Sequence, residues 1–318
     1  INSLVRFQRS DIATHTGQII GVGGVQQAGT GTLIFTADNT YTGATTISSG
    51  ILQLGNGGAT GSIASALVEN NGVLRVNRNN TLNIAAAISG NGAFEQAGSG
   101  TTVLSGANSY SGGTTISAGI LQYSADNNLG TPAGSVRLAG GYLERTNNGT
   151  LSRSVVASSL VGGLRAASGI TLTVDGVISG AGNVTITGGG TVRFATTATN
   201  TFTGDTIVNE GSTLVLAATL MNAAITGDGI SNVANPDITV TGGAKLYWMN
   251  GHQVHDTTTI LVSGAGSLAS LTSAFFTGST RAEVLGNVVV ENGGIFRDGR
   301  GFTVSYADPA VGNGGTLD

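Results

Sequence analysis

Short runs in which apolar and polar residues alternate make up most of this chain. Val, Ile, Leu and Phe alternate with Thr, Ser and Asn over a few residues, as in 32–35, 170–174 and 238–241. This period of two, rich in β-branched residues, predicts β-strands. Glycine, serine and asparagine separate the runs every few positions, and helix signals are almost absent. The pattern therefore predicts an all-β protein built from many short strands.

Glycines at the corners between strands recur at a nearly constant spacing. Gly72 follows Gly50 at the same distance along the chain as Gly141 follows Gly119. Strands this short bury an apolar face only when successive coils stack and share one core. The spacing predicts a parallel β-solenoid with about 22–23 residues per coil. A meander of antiparallel hairpins is the alternative, because Asn-Gly and Gly-Gly also form hairpin turns.

One long stretch occurs twice without a gap and a third time with more differences. The copies lie at positions 19–53, 88–122 and 178–216. A fixed repeat of this kind indicates stacked structural units. The offset between the first two copies is three times a coil of about 23 residues, so we expect the repeat to span three whole coils. Inward residues such as Ile47 and Ile116 should then form registered apolar ladders.

The repeat has the pattern ISGxGxxxQxGxGTxxLxGxNxYxGxTTIxxGxLQ. It resembles the passenger-associated transport repeat of bacterial type V autotransporters. The resemblance implies a right-handed parallel β-helix that is exposed on the surface of a Gram-negative bacterium or secreted from it. It also implies an upstream signal peptide and a downstream outer-membrane β-barrel translocator, so we expect this chain to be part of a longer protein. The repeat does not name a ligand, because it occurs in stems of many functions.

The amino-acid composition argues against some classes of partner and excludes some kinds of metal site and cross-link. Its 318 residues include 53 Gly, only 3 Pro and no Cys, and 9% are charged, far below the roughly 25% of ordinary soluble proteins. The net charge of −4 and the lack of a basic patch argue against a nucleic-acid partner. The absence of cysteine excludes disulfides and thiolate metal sites.

The rhythm of glycine corners also predicts the domain organisation. Residues 1–18 lack that rhythm, and we expect them to form an N-terminal cap or the remnant of an upstream element. Residues 19–318 are expected to form a single continuous β-helix. That β-helix should be repeat-rich over 19–216 and more irregular over 217–318.

Two insertions interrupt the regular spacing. The distance along the chain from Gly211 to Gly243 exceeds one coil by about ten residues, and the excess falls in residues 220–236. A smaller excess falls in residues 124–132. Such insertions are either tolerated drift or surface loops, and surface loops often carry binding sites.

Each copy of the repeat contains a corner with an asparagine, an aromatic residue and a glycine. These residues are Asn39, Tyr41 and Gly43 in the first copy, Asn108, Tyr110 and Gly112 in the second, and Asn200, Phe202 and Gly204 in the third. The functional interpretation is a surface on which sugars stack. In the structural interpretation, which we favour, the asparagine caps a turn, the ring packs on a neighbouring coil and the glycine has a positive φ.

Enzyme motifs are absent, and we predict no catalytic residue, metal or cofactor. No G-x-S-x-G elbow stands between a strand and a helix, and no motif links a serine to a histidine. The best carboxylate pairs for a glycosidase are Asp205 with Glu210, which flank one corner, and Asp228 with Asp237. His252 and His255 would share a face only on a helix, which no signal predicts here.

The C-terminal third differs from the repeats and contains the predicted ligand-contact surface. It holds the longest insertion, the only tryptophan, the only lysine and two of the three histidines. If the chain binds a ligand, we expect the contact to run from residues 220–236 to residues 248–256. The residues expected there are Asp228, Asn232, Tyr247, Trp248, His252 and His255.

We interpret the chain as a non-enzymatic passenger fragment that acts in adhesion and host interaction. Its expected partners are a host cell-surface receptor, matrix protein or glycan, and its own translocator in the full-length protein. Two alternatives remain. The chain is a β-helical enzyme that acts on polysaccharide, or it is a passive stem that presents a functional domain lying upstream.

Overall fold

The computed structural model describes most of the chain, in two compact units, Ile1–Leu143 and Glu144–Asp318. The described residues are 1–158, 160–195, 200–217, 238–249, 253–254, 259–272, 283–284, 287–292, 295–298, 303–304, 310–311 and 316–317. Their regular structure is β-strand except for one 3-10 helix, Asp126–Leu129. The prediction of an all-β protein is confirmed.

The N-terminal unit contains fifteen short strands. They are β1 (Val5–Phe7), β2 (Ile12–His15), β3 (Val25–Gln27), β4 (Thr32–Phe35), β5 (Thr45–Ile47), β6 (Ile51–Leu54), β7 (Leu67–Asn70), β8 (Val73–Val76), β9 (Leu82–Ile84), β10 (Ala87–Ser89), β11 (Ala93–Gln96), β12 (Thr101–Leu104), β13 (Thr114–Ile116), β14 (Ile120–Tyr123) and β15 (Val136–Leu138). Strand β16 (Tyr142–Arg145) spans the boundary between the two units.

The strands of the N-terminal unit form three parallel sheets. Sheet I has the order β1-β3-β5-β7-β10, sheet II has β2-β4-β6-β8-β11-β13-β15, and sheet III has β9-β12-β14. Strands two or three apart in sequence therefore pair, as they do in a coil that winds past the same sheet once per turn. The number of residues in one turn varies, since the step from Thr32 to Ile51 is shorter than the step from Thr45 to Val68.

The predicted parallel β-solenoid is confirmed, and the described strands form about 11 turns of roughly 21 residues each. The turn is thus slightly shorter than the glycine spacing predicts. Every pairing between described strands is parallel, as in Leu33 with Leu52 and Leu74 with Phe94, so the antiparallel meander is wrong.

The core of the N-terminal unit consists of the predicted apolar ladders. In sheet II, Leu33, Leu52, Leu74 and Phe94 follow one another in register, and each is at most 2% exposed. Ile47 and Ile116 are also fully buried. Each buried aliphatic side chain contributes about 1.5–3 kcal/mol through the hydrophobic effect, so stacking between turns stabilises strands too short to be stable alone.

The prediction that the long repeat spans three whole coils is wrong. In sheet I three successive register steps lead from Val25 through Thr45 and Val68 to Ile88. The repeat equivalent of Val25 is Phe94, which follows Ile88 in the chain and lies in sheet II. The first copy therefore uses sheets I and II and the second uses sheets II and III. A residue of the second copy is therefore three turns beyond its equivalent in the first copy and lies in the next sheet of the coil.

The described strands of the C-terminal unit are also short. They are β17 (Gly149–Leu151), β18 (Val155–Ala157), β19 (Gly162–Ala166), β20 (Thr171–Val174), β21 (Ile178–Ser179), β22 (Val184–Thr187), β23 (Thr191–Phe194), β24 (Thr206–Val208), β25 (Thr213–Ala217), β26 (Ile238–Val240), β27 (Lys245–Met249), β28 (Gln253–Val254), β29 (Thr259–Ser263), β30 (Leu268–Thr272), β31 (Glu283–Val284), β32 (Asn287–Glu291), β33 (Ile295–Asp298), β34 (Thr303–Val304), β35 (Ala310–Val311) and β36 (Thr316–Leu317).

Parallel pairing continues within this unit. Sheet IV has the order β19-β22-β24-β26-β29-β32-β35, and sheet V has β17-β20-β23-β25-β27-β30-β33-β36. Strands β18 and β21 form one further pair, and β28, β31 and β34 form a small sheet.

The long spacing between Gly211 and Gly243 belongs to a single long turn. The step from Val184 to its partner Thr206 is one ordinary turn, whereas the step from Thr206 to its partner Ile238 is about half as long again. The additional residues lie within 218–237, outside the described residues. The smaller insertion, 124–132, contains the 3-10 helix.

Residues 1–18 form part of the strand ladders of the N-terminal unit. Strand β1 pairs with β3, and β2 pairs with β4. The ring centroids of Phe7 and His15 each lie 5.9 Å from the ring centroid of Phe35, in edge-on geometry. Whether these residues act as a cap stays a prediction.

Candidate ligand-contact surface

The corner asparagines tie each turn to its neighbour. The backbone N–H of Ile19 donates to Oδ1 of Asn39 at 2.9 Å, and the N–H of Ile88 donates to Oδ1 of Asn108 at 2.8 Å. Ile178 makes the same bond to Asn200 at 2.8 Å. The three asparagines are at most 6% exposed, so they stabilise the stacked turns and are not available to a ligand.

The corner aromatic rings lie in the core. Tyr41 and Tyr110 are fully buried, and their hydroxyls are hydrogen-bonded to Thr45 Oγ1 at 2.7 Å and Thr114 Oγ1 at 2.6 Å. Burial raises the pKa of Tyr41 to about 12, although the bond to Thr45 lowers it. Because these rings are inaccessible, the sugar-stacking interpretation is wrong for them, and the structural interpretation of the ring is correct.

The corner glycines are required for a different reason from the one predicted. Gly43, Gly112 and Gly204 do not have positive φ angles, unlike Gly50 with 65° and Gly119 with 60°. A Cβ atom on Gly43 would lie 2.5 Å from the carbonyl carbon of Gly23 in the preceding turn. Corner glycines therefore allow two backbones to approach closely, which no other residue permits.

The carboxylates proposed for a glycosidase make structural contacts. Nδ2 of Asn183 donates to Oδ2 of Asp205 at 3.3 Å. The Thr187 hydroxyl donates to Glu210, and Arg165 lies 3.7 Å from the same carboxylate. The hydrogen bond from Thr187, and then the charge of Arg165, lower the pKa of Glu210. Asp228 and Asp237 lie outside the described residues.

Most of the predicted contact residues fall outside the described part of the chain. Asp228, Asn232, His252 and His255 are among them. Trp248 belongs to β27, and its Cα pairs with those of Leu216 and Leu271, but its side chain is not described. Tyr247 is therefore the one predicted residue whose side chain is described, and it is half-buried. Within the described residues no three His, Cys, Asp or Glu side chains are grouped as a metal site.

Tyr247 lies on a surface that the sequence does not reveal. In sheet V the alternate residues Val192, Leu214 and Leu246 are fully buried. The residues on either side of each buried residue point outward and form two columns across the strands. One column is Thr191, Thr213 and Lys245, and the other is Arg193, Val215 and Tyr247. We call these six residues the sheet V face. Arg193 and Lys245 are exposed, and the other four are half-buried.

The sheet V face carries positive charge. Neither Arg193 nor Lys245 takes part in any of the ion pairs found among the described residues. Glu210, at the corner before β25, already contacts Thr187 and Arg165. The pairing of Lys245 with Thr213 crosses the single long turn. If every coil had the constant length that the glycine spacing suggests, Thr213 and Lys245 would not be paired. The sheet V face therefore cannot be recognised from the sequence.

No helix among the described residues is long and apolar enough to span a membrane.

Comparisons with known proteins agree with the fold and the repeats. The passenger-associated transport repeat family model matches residues 25–54, 94–122 and 179–216. The chain is 41% identical over 147 residues to the adhesin BmaC autotransporter of Brucella suis biovar 1 (strain 1330). The match covers 45% of this chain and 4% of that protein. No solved structure matches.

These findings define a class of protein. The chain contains three passenger-associated transport repeats and is similar over part of its length to an autotransporter adhesin, which confirms the resemblance. Its location is accordingly the cell surface of a Gram-negative bacterium or the medium into which that bacterium secretes it.

Proposed function

We propose that this chain is a non-enzymatic part of an autotransporter passenger and acts in adhesion. The observation that carries the proposal is the 41% identity over 147 residues to a protein described as an adhesin. The chain spans only 4% of that protein, so adhesion is a hypothesis about this segment. The partners we propose are a host cell-surface receptor, matrix protein or glycan, and the translocator of the full-length protein.

The parallel solenoid supports an adhesive role. Each turn adds one residue to every outward column, at a spacing of about 4.8 Å. Stacked repeats of this kind offer extended surfaces on which a partner contacts several turns at once. The contact surface predicted from the sequence, residues 220–236 with 248–256, is part of this proposal.

Two alternatives differ in class. A β-helical enzyme acting on polysaccharide would need free catalytic carboxylates, and the contacts of Asp205 and Glu210 favour structural roles for both. A passive stem would bind nothing itself and would present another domain of the full-length protein.

The test is a binding assay with the purified chain on cultured host cells and on immobilised matrix proteins. We expect saturable binding that unlabelled chain competes away, with a parallel β-solenoid from an unrelated protein as the control. Absence of saturable binding by a chain with an intact β-sheet circular dichroism spectrum would contradict adhesion and favour the passive stem. Release of new reducing ends from a polysaccharide would favour the enzyme.

A further inference from the structure

The sheet V face combines three kinds of side chain along neighbouring strands. Rungs of a parallel sheet are about 4.8 Å apart, and alternate residues of one strand are roughly 6.6 Å apart. Arg193 on β23 and Lys245 on β27 therefore lie on one face, two rungs and one column apart. Strand geometry gives roughly 12 Å between their Cα atoms.

The two cations on this face are free to bind an anionic group. Both side chains are exposed, and the ion pairs found among the described residues include neither of them. None of the six residues of the sheet V face is acidic. Arginine binds carboxylate and sulfate groups through its planar fork, and lysine binds them as a point charge.

The other residues of the face favour a carbohydrate over a protein as the partner. Thr191 and Thr213 carry hydroxyls, which both donate and accept hydrogen bonds, as sugar hydroxyls do. Tyr247 adds a half-buried aromatic ring with a polar end. Tight protein interfaces depend on clusters of Trp, Tyr and Arg in desolvated pockets, and a flat strand face with one ring and one arginine offers no such cluster.

We propose that the sheet V face binds an acidic polysaccharide chain. Arg193 and Lys245 bind its carboxylate or sulfate groups, the threonine hydroxyls bind its hydroxyls, and Tyr247 packs against a sugar ring. This inference rests on the proposed adhesive function and names the class of its ligand.

The test uses the whole chain and heparin as the probe, with neutral dextran of similar length as the comparison. Heparin binding should be measurable by calorimetry at low salt and should weaken as salt rises, because salt screens exposed charges. Arg193→Gln combined with Lys245→Gln should reduce the heparin affinity at least tenfold, and Tyr247→Ala should reduce it severalfold. Dextran should not bind.

A matched variant separates a site from general attraction. Arg6 on β1 and Arg137 on β15 are also exposed, so Arg6→Gln combined with Arg137→Gln removes the same charge elsewhere and should leave the affinity unchanged. Equal losses in the two double variants would overturn the proposal, as would an affinity unaffected by Arg193→Gln and Lys245→Gln. Unchanged melting of each variant shows that the fold is intact.

Cell adhesion distinguishes failure of this inference from failure of the proposed function. If the parent chain adheres to cells and the Arg193→Gln, Lys245→Gln variant adheres equally well, adhesion stands and the sheet V face is not the site that binds the adhesive ligand. If the parent chain binds heparin but no cell or matrix protein, the adhesive function is wrong.

Discussion

The corner tyrosines each satisfy a buried threonine hydroxyl. Tyr41 is hydrogen-bonded to Thr45, and Tyr110 to Thr114. In the third copy of the repeat Phe202 replaces the tyrosine, and the buried hydroxyl of Thr206 has no hydrogen-bond partner among the described residues. A buried polar group that loses its partner costs about 1–3 kcal/mol. The first two copies of the repeat therefore have this hydrogen bond at the corner, and the third copy lacks it.

We predict that Tyr41→Phe lowers the free energy of unfolding by about 1–3 kcal/mol, because it leaves Thr45 in the state of Thr206. Tyr41→Phe combined with Thr45→Val should recover most of that loss, because neither polar partner then remains. Denaturant unfolding of the parent, both single variants and the double variant measures the coupling between the two side chains. Strictly additive losses would show that the hydrogen bond contributes nothing.

A second residue-scale prediction concerns the corner glycine. Gly43→Ala should destabilise the fold by about 1–3 kcal/mol, as overpacking does, because the new Cβ would lie 2.5 Å from the backbone of Gly23. Gly58→Ala is the control, since a Cβ there meets no described atom within 4 Å. Thermal melting of the two variants compares them directly. Equal melting temperatures would mean that the backbone of the corner moves apart at little cost.

At the scale of elements, the strands and ladders could be predicted from the sequence, but the path of the repeat could not. The period of two and the regular corners determine which residues face inward, and Ile47 and Leu52 are buried as that pattern requires. The number of residues in a turn is not constant, since the register step from Thr45 to Val68 is longer than the step from Thr32 to Ile51. The offset between two copies alone therefore does not distinguish three whole turns from three turns and one further sheet.

The candidate site was predictable only in part, for the same reason. Tyr247 is recognisable from the sequence as an aromatic residue close to the only lysine. Its column neighbour two rungs away, Arg193, lies much earlier in the chain, and more than half of the intervening residues belong to the single long turn. No local sequence pattern predicts that Arg193 and Tyr247 lie in one column, because their alignment depends on hydrogen bonds between turns.

The first two strands provide an element-scale prediction. Deletion of residues 1–18 removes β1 and β2, so β3 and β4 each lose one of their two pairing partners and Phe35 loses its contacts with Phe7 and His15. Unpaired strand edges promote association with other chains. We predict a lower melting temperature and more aggregation in light scattering. Unchanged melting and solubility would show that residues 1–18 do not cap the unit.

At the scale of the whole molecule, stacking makes a solenoid tolerant of changes within one turn. Each turn contacts only its neighbours, so the effect of an insertion stays close to its site. The cost of a longer connection also grows slowly, by about 0.6 kcal/mol for each doubling of its length. The long turn between β24 and β26 is therefore compatible with the regular pairing of the sheets before and after it.

The last prediction separates that structural tolerance from binding. Deletion of residues 225–234, which include Asp228 and Asn232, makes the step from Thr213 to Lys245 as short as the preceding step from Thr191 to Thr213. We expect the shortened chain to fold with an unchanged melting temperature, because that shorter step already completes one turn in the same sheet. If the ligand contacts include this segment, adhesion of the shortened chain should fall severalfold, whereas heparin binding by the sheet V face should persist. Undiminished adhesion by the folded variant would exclude residues 225–234 from the ligand contact, and loss of folding would show that the long turn is required for the register of sheet V.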